Sequence, residues 1–149
     1  MRIIGFGNPQ RGDDAAGVIV AERLRAQSLD TVTVTGDALE LVEAWQGTDE
    51  LILVDAVVTG APAGTIHVWH GKEALPALTT PTSTHGIGLL QALELADTLH
   101  RLPPHLSIWG IEGQAFDVGS EMSPAVETAV EEVARRIAVV AIKPSRLPQ

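Results

Sequence analysis

The sequence predicts a three-layer α/β fold: a mostly parallel five-stranded twisted sheet with one antiparallel edge strand and helices on both faces. Strand-like and helical patterns alternate along the chain. Residues 51–58 form a nearly continuous apolar run of strand length, which is typical of a central strand buried on both faces. A glycine-containing turn carrying Asp13 and Asp14 joins the first strand to the first helix, where open α/β proteins place functional groups.

Two strand and helix pairs are predicted before the central strand. Residues 2–6 are β-prone, and apolar side chains at helical spacing predict the first helix over residues 14–27. Residues 31–35 alternate β-branched side chains, which predicts the second strand. Apolar residues at helical spacing predict the second helix over residues 38–46.

The strand after the central one is predicted to be antiparallel. Residues 65–70 have a strand pattern and follow the central strand after a link of about six residues, whereas a parallel crossover takes a dozen or more. We therefore expect this strand at an edge of the sheet.

The last part of the chain predicts a loop, a helix, a strand and a helix. Residues 79–84 are polar and form the loop, and residues 88–102 give a helix with one apolar face, ended by two prolines. Residues 106–111 form the fifth strand. Ser123 followed by Pro124 predicts the start of the last helix, with serine as cap and proline at the first position.

Length and composition indicate one globular domain, spanning residues 1–142, followed by a loose tail at 143–149. The net charge of −9 argues against nucleic acid or an anionic membrane as partner. With no cysteine, the chain has no disulfide, thiolate metal site or cysteine nucleophile. No apolar stretch is long enough for a signal peptide or membrane span, so a cytoplasmic location is expected.

Two aspartates are predicted to meet at the carboxyl edge of the sheet. In the Asp13–Asp14 pair, one carboxylate is expected to cap the first helix while Asp14 faces the crevice. Asp55 ends the buried central strand, where a carboxylate must be hydrogen-bonded, paired or bound to metal. Because the ends of parallel strands converge at the switch point of the sheet, Asp14 and Asp55 should lie close together. A cation or a proton between them would relieve their repulsion.

A histidine is the third candidate ligand. His85 lies just before a predicted helix, whose dipole favours the neutral imidazole that binds metals. Asp14, Asp55 and His85 together give two oxygen ligands and one nitrogen ligand. Three protein ligands leave coordination positions open, as in catalytic sites, and the set suits nickel without excluding zinc.

Several segments resemble, in order, those of one enzyme family. They are the turn from Gly5 to Gly17, the strand at residues 51–56, the Ser-Thr-His-Gly segment at 83–86, and the last strand and helix around 108–113 and 123–126. Together they resemble the [NiFe]-hydrogenase maturation endopeptidases. These proteases trim the C-terminal tail of the hydrogenase large-subunit precursor once nickel is in place.

The resemblance implies an endopeptidase whose partner is that precursor. It further implies that Asp14, Asp55 and His85 recognise nickel already held by the substrate, so that no permanently bound metal is needed. Asp37 is implied to help bind the large subunit, although the family's glycine-rich turn is replaced here by Ala38-Leu39.

Other polar residues have weaker assignments. Glu112 ends the fifth strand and should border the crevice as a peptide-binding or supporting group. Arg11 is expected to hold Asp13 or Asp14, to bind a peptide carboxylate, or to lie free at the surface. The remaining histidines are expected at the surface: His67, His70, His100 and His105.

The same residues leave three alternatives to the endopeptidase. Nucleotide binding is disfavoured because Gln10 stands where the dinucleotide motif has its third glycine. A receiver-like, magnesium-dependent phosphoacceptor would use the same aspartates, but no lysine follows the last strand. A nickel-binding chaperone without enzymatic activity would use the same three ligands, and the chain has no His-Glu-x-x-His motif.

Overall fold

The computed structural model describes residues 1–79 and 87–141. Within these ranges the chain forms one five-stranded sheet. Its strands are Arg2–Phe6 (β1), Thr31–Val34 (β2), Glu50–Val57 (β3), Ile66–His70 (β4) and His105–Glu112 (β5).

Helices cover both faces of the sheet. Short 3-10 helices at Gly12–Ala15 and Gly71–Glu73 precede α1 and α3 respectively. The α-helices in the described ranges are Ala16–Arg25 (α1), Ala38–Ala44 (α2), Ala74–Leu78 (α3), Ile87–Thr98 (α4) and Pro124–Ala141 (α5). None of these is both long and apolar enough to cross a membrane.

The strand order is β2-β1-β3-β5-β4, and the predicted fold class is confirmed. β1 pairs parallel with β2 and β3, and β3 pairs parallel with β5. β4 lies at the edge and pairs antiparallel with β5, as the short link predicted. The chain order reverses between β1 and β3, so the crevice of this open sheet lies at their carboxyl ends.

Two apolar cores form, one on each face of the sheet. α2, α3 and α4 pack on one face, where the Trp45 side chain is almost fully buried. α1 and α5 pack on the other face against residues such as Ile3 and Ile111. β3 contributes side chains to both cores, which is why its sequence is apolar at nearly every position.

The start of α1 lies directly on the end of β1 and on the middle of β3. A Cβ atom on Gly17 would come within 2.3 Å of the carbonyl oxygen of Val54 and 2.6 Å of that of Phe6. Only glycine permits this approach, since neither carbonyl can move without breaking the sheet. The contact fixes the turn that carries Asp13 and Asp14 against the crevice.

Some predicted boundaries differ from the structure. The first helix begins at Ala16 instead of residue 14, because Gly12–Ala15 forms a 3-10 helix. The helix Ala74–Leu78 was not predicted, since five residues are too few to show helical periodicity. Most of the predicted loop at 79–84 and the whole of the predicted tail at 143–149 lie outside the described residues.

Candidate active site

Asp13 is fully buried, and its carboxylate binds the segment that precedes α5. The main-chain N–H groups of Gln114 and Ala115 donate to Oδ2 at 2.8 and 2.9 Å. Ser123 donates twice, from its main-chain N–H to Oδ1 at 2.7 Å and from its hydroxyl to Oδ2 at 2.8 Å. The N-cap residue of α1 is Ala15, and no side-chain hydrogen bond caps the helix there. The expected helix-capping role is therefore wrong for Asp13.

The charge of Asp13 is stabilised inside the protein. Burial alone would raise the pKa of Asp13, but hydrogen bonds from Gln114, Ala115 and Ser123 favour the carboxylate, and the pKa is lowered. Asp13 is thus an anion at neutral pH.

Arg11 holds the same segment. Its Nε donates to the carbonyl oxygen of Phe116 at 3.0 Å, and the Asp13 N–H donates to the carbonyl oxygen of Ala115 at 2.7 Å. The turn after β1 and the segment after β5 therefore form one connected rim at the carboxyl edge. Binding of a peptide carboxylate by Arg11 stays a prediction.

Asp14 lies at the mouth of the crevice and is partly exposed. Its Oδ2 accepts a hydrogen bond from the main-chain N–H of Asn8 at 3.1 Å. Gly7, which follows β1, has a φ of +147°, and a Cβ there would lie 2.1 Å from the Asp14 carbonyl oxygen. Glycine at this position lets the turn fold tightly enough to direct Asp14 toward the end of β1.

Asp55 is nearly fully buried in β3, with an exposed fraction of 3%. Burial raises the pKa of Asp55 well above its usual value, and the charge of Asp14 raises it further, while a hydrogen bond from the Ala56 N–H opposes both. The structure thus brings Asp14 and Asp55 within electrostatic reach of one another, although they come from different strands.

His85 lies outside the described residues. Three positions further along, at the start of α4, a Cβ on Gly88 would lie 3.0 Å from Cε2 of Phe6, the last residue of β1. α4 therefore begins beside the carboxyl end of β1. Within residues 1–79 and 87–141, no three His, Asp or Glu side chains are grouped closely enough to hold a metal ion.

Glu112 is buried at the end of β5, with an exposed fraction of 1%. Thr59 donates to it twice, from its N–H to Oε2 and from its hydroxyl to Oε1, both at 2.7 Å. His67 Nε2 lies 3.0 Å from Oε1. The surface assignment of His67 is therefore wrong, because its ring is bonded to a buried carboxylate.

His67 could not be found from sequence alone. Alternation along β4 shows that His67 and His70 point to opposite faces, but the sequence does not show that Glu112 lies beside one of them. The other three histidines, His70, His100 and His105, are exposed as expected.

Asp37 lies apart from these groups, at the start of α2. It is exposed, and its Oδ1 accepts a hydrogen bond from the Glu40 N–H at 3.0 Å, so it caps the helix. Its implied contact with the large subunit stays a prediction.

A cavity of about 360 Å³ lies at the opposite edge of the sheet. Glu50, His105 and Ser107, at the amino ends of β3 and β5, are among the residues that line it. Asp14, Asp55 and Glu112 lie at the carboxyl edge, so we assign the site to the open crevice and not to this cavity.

A protein-family model described as hydrogenase maturation protease matches residues 20–140. The match covers most of the chain, including β3, β5 and the greater part of α5. The chain belongs to the hydrogenase maturation protease family. A hydrogenase maturation protease is a peptidase, and this membership favours the endopeptidase over the phosphoacceptor and chaperone alternatives.

Individual proteins agree with the family assignment. The chain is 27% identical to the hydrogenase 2 maturation protease of Escherichia coli, over 91% of this chain and 86% of that protein. It is 28% identical to the hydrogenase expression/formation protein HupD of Thiocapsa roseopersicina, over 89% of this chain and 67% of that protein.

Solved structures of such maturation proteases have the same fold. The [NiFe] hydrogenase maturation protease HybD from Thermococcus kodakarensis superposes with a TM-score of 0.79 at 24% identity, covering 94% of this chain and 97% of that one. An endopeptidase from Escherichia coli gives a TM-score of 0.81 at 24% identity, covering 99% and 95%.

Proposed function

We propose that this maturation protease removes the C-terminal extension of a [NiFe]-hydrogenase large-subunit precursor after nickel insertion. In this proposal Asp14, Asp55 and His85 recognise the nickel held by the precursor. Nickel is then part of the substrate, and the free enzyme needs no resident metal.

The relation between Asp14 and Asp55 carries the proposal. Two carboxylates that face one crevice and disfavour each other's charge are stabilised when a cation lies between them. An imidazole from His85 would complete a set that nickel binds more tightly than iron or manganese. A Cβ on Gly88, three residues after His85, would lie 3.0 Å from the ring of Phe6, at the end of the strand that leads to the Asp14 turn.

The same arrangement suits peptide hydrolysis. Nickel supplies Lewis-acid chemistry that polarises the carbonyl of the scissile bond. The attacking water must lose a proton, and in this proposal the buried carboxylate of Asp55 accepts it. The proton then passes to the amine that leaves when the C–N bond breaks.

A processing assay tests the proposal. Purified protein is incubated with nickel-loaded and with metal-free large-subunit precursor from the same organism, and the products are weighed by mass spectrometry. We expect loss of a C-terminal peptide only from the nickel-loaded precursor. Cleavage of both forms, or of neither, would contradict the proposal.

Variants then test the assigned residues. Asp14→Asn combined with His85→Ala should abolish cleavage, while the matched pair Asp49→Asn with His100→Ala should not. Asp49 and His100 are exposed and lie away from the carboxyl edge. A nickel chaperone would instead bind nickel tightly and leave the precursor uncut.

A further inference from the structure

Three side chains form a second polar group at the carboxyl edge: Thr59, His67 and Glu112, here called the Glu112 cluster. Glu112 is almost completely buried, and both of its oxygens already accept hydrogen bonds from Thr59 or His67. It has no accessible oxygen for a substrate. Its role is therefore to fix the positions of Thr59 and His67, which are hydrogen-bonded to it.

The cluster is on the same face of the sheet as Asp55. Asp55 pairs with Gly110 on β5, and Gly110 pairs with His67 on β4, so the three form one row across adjacent strands. Neighbouring strands are about 4.8 Å apart, which puts His67 roughly 10 Å from Asp55 along this row. That distance is about the span of three residues of extended peptide.

Gly110 leaves space for the indole of Trp69, on which the His67 ring stacks. A Cβ on Gly110 would lie 2.8 Å from Cζ3 of Trp69, so the indole covers the glycine. The His67 ring stacks on this indole with centroids 4.9 Å apart and planes 7° from parallel. Stacking on one side and Glu112 on the other fix the orientation of the imidazole.

His67 is also the member of the cluster that presents a polar ring to solvent. Its side chain is 21% exposed, whereas that of Glu112 is 1% exposed. Glu112 acts as the acceptor, so Nε2 donates to it, and within the described residues Nδ1 has no hydrogen-bond partner. An oriented imidazole with one free nitrogen is a binding group for a peptide main chain.

We propose that His67 binds, through Nδ1, the main chain of the precursor segment that crosses the carboxyl edge from Asp55. Glu112 and Thr59 are positioning residues that fix the ring. The inference rests on the proposed function, since it places the substrate relative to Asp55. A purely structural role would be served as well by apolar groups of the same shape, because a buried hydrogen-bonded pair adds little net stability over them.

His67→Phe is the decisive variant, since phenylalanine retains a ring that can stack on Trp69 and lacks both nitrogens. We expect KM for nickel-loaded precursor to rise roughly three- to tenfold, the value of one lost hydrogen bond, with kcat within about twofold. Glu112→Gln should raise KM in the same direction, because the ring is no longer oriented. His70→Phe is the matched control: it lies on the same strand, is exposed and points to the other face.

A binding measurement separates this inference from the proposed function. Affinity for metal-free precursor is measured by calorimetry for wild type, His67→Phe and His70→Phe, with thermal unfolding to confirm that each variant is folded. Weaker binding by His67→Phe alone supports the inference even if wild type does not cleave. Equal affinity and equal KM for folded His67→Phe and His70→Phe would overturn it, whatever the processing assay shows.

Discussion

Ser123 gives Asp13 two hydrogen bonds, from its main-chain N–H at 2.7 Å and from its hydroxyl at 2.8 Å, across 110 residues of sequence. The residue expected to cap the last helix therefore uses its side chain to bind the acidic turn. Through this contact the position of Asp14, the next residue, depends on the segment between β5 and α5. Substitutions that break these hydrogen bonds should therefore change the geometry of the crevice, although they lie outside it.

Replacing Asp13 should destabilise the protein strongly. Asp13→Ala leaves four donors of Gln114, Ala115 and Ser123 without an acceptor, and we expect a loss of about 3–5 kcal/mol in the free energy of unfolding. The loss in unfolding free energy is measured by urea denaturation. Glu121→Ala, an exposed change in the same segment, should stay within about 0.5 kcal/mol. Similar values for both variants would refute the structural role of Asp13.

The contribution of Asp13 should also depend on pH. Its pKa is lower in the folded protein than in the unfolded chain, so its stabilisation is present above the unfolded value of about 3.9 and is lost as pH falls through the folded pKa. The difference in unfolding free energy between wild type and Asp13→Asn should therefore shrink in acid. A difference that stays constant from neutral pH down to about pH 3 would contradict this.

Asp55 should behave in the opposite way. Its pKa is raised in the folded protein, so relative to asparagine it costs stability increasingly as pH rises from about 4 toward the folded pKa. Asp55→Asn should make the protein more stable at neutral pH while abolishing cleavage, and the gain should vanish in acid. The exposed substitution Asp49→Asn serves as the control. A gain in unfolding free energy that does not change with pH would show that the charge of Asp55 does not destabilise the folded protein.

Gly17→Ala tests the contact that places the acidic turn. Alanine normally stabilises a helix interior by about 0.5–1 kcal/mol relative to glycine. Here the added Cβ would meet two sheet carbonyls at 2.3 and 2.6 Å, so we expect net destabilisation, together with reduced cleavage. Gly88→Ala, where the neighbour is the Phe6 side chain at 3.0 Å, should cost less because that ring can shift. Equal losses would argue against the tight approach of α1 to the sheet.

The sequence was sufficient for the features that depend on local pattern. The apolar run of β3, the short link to β4 and the convergence of parallel strand ends predicted the central strand, the antiparallel edge and the approach of Asp14 to Asp55. The partners of Asp13 and Glu112 could not be predicted in this way. Each is bonded to groups from distant segments, and only the packed structure determines which segments meet.

Cleavage of nickel-loaded precursor by the Asp14→Asn/Asp55→Asn double variant is the most direct test of the central claim, that these two carboxylates meet at one nickel ion. Both changes preserve side-chain size and remove charge at the site. With folding confirmed by thermal unfolding, we expect no loss of the C-terminal peptide by mass spectrometry, while wild type removes it completely. Cleavage by the folded double variant at the wild-type rate would contradict the account.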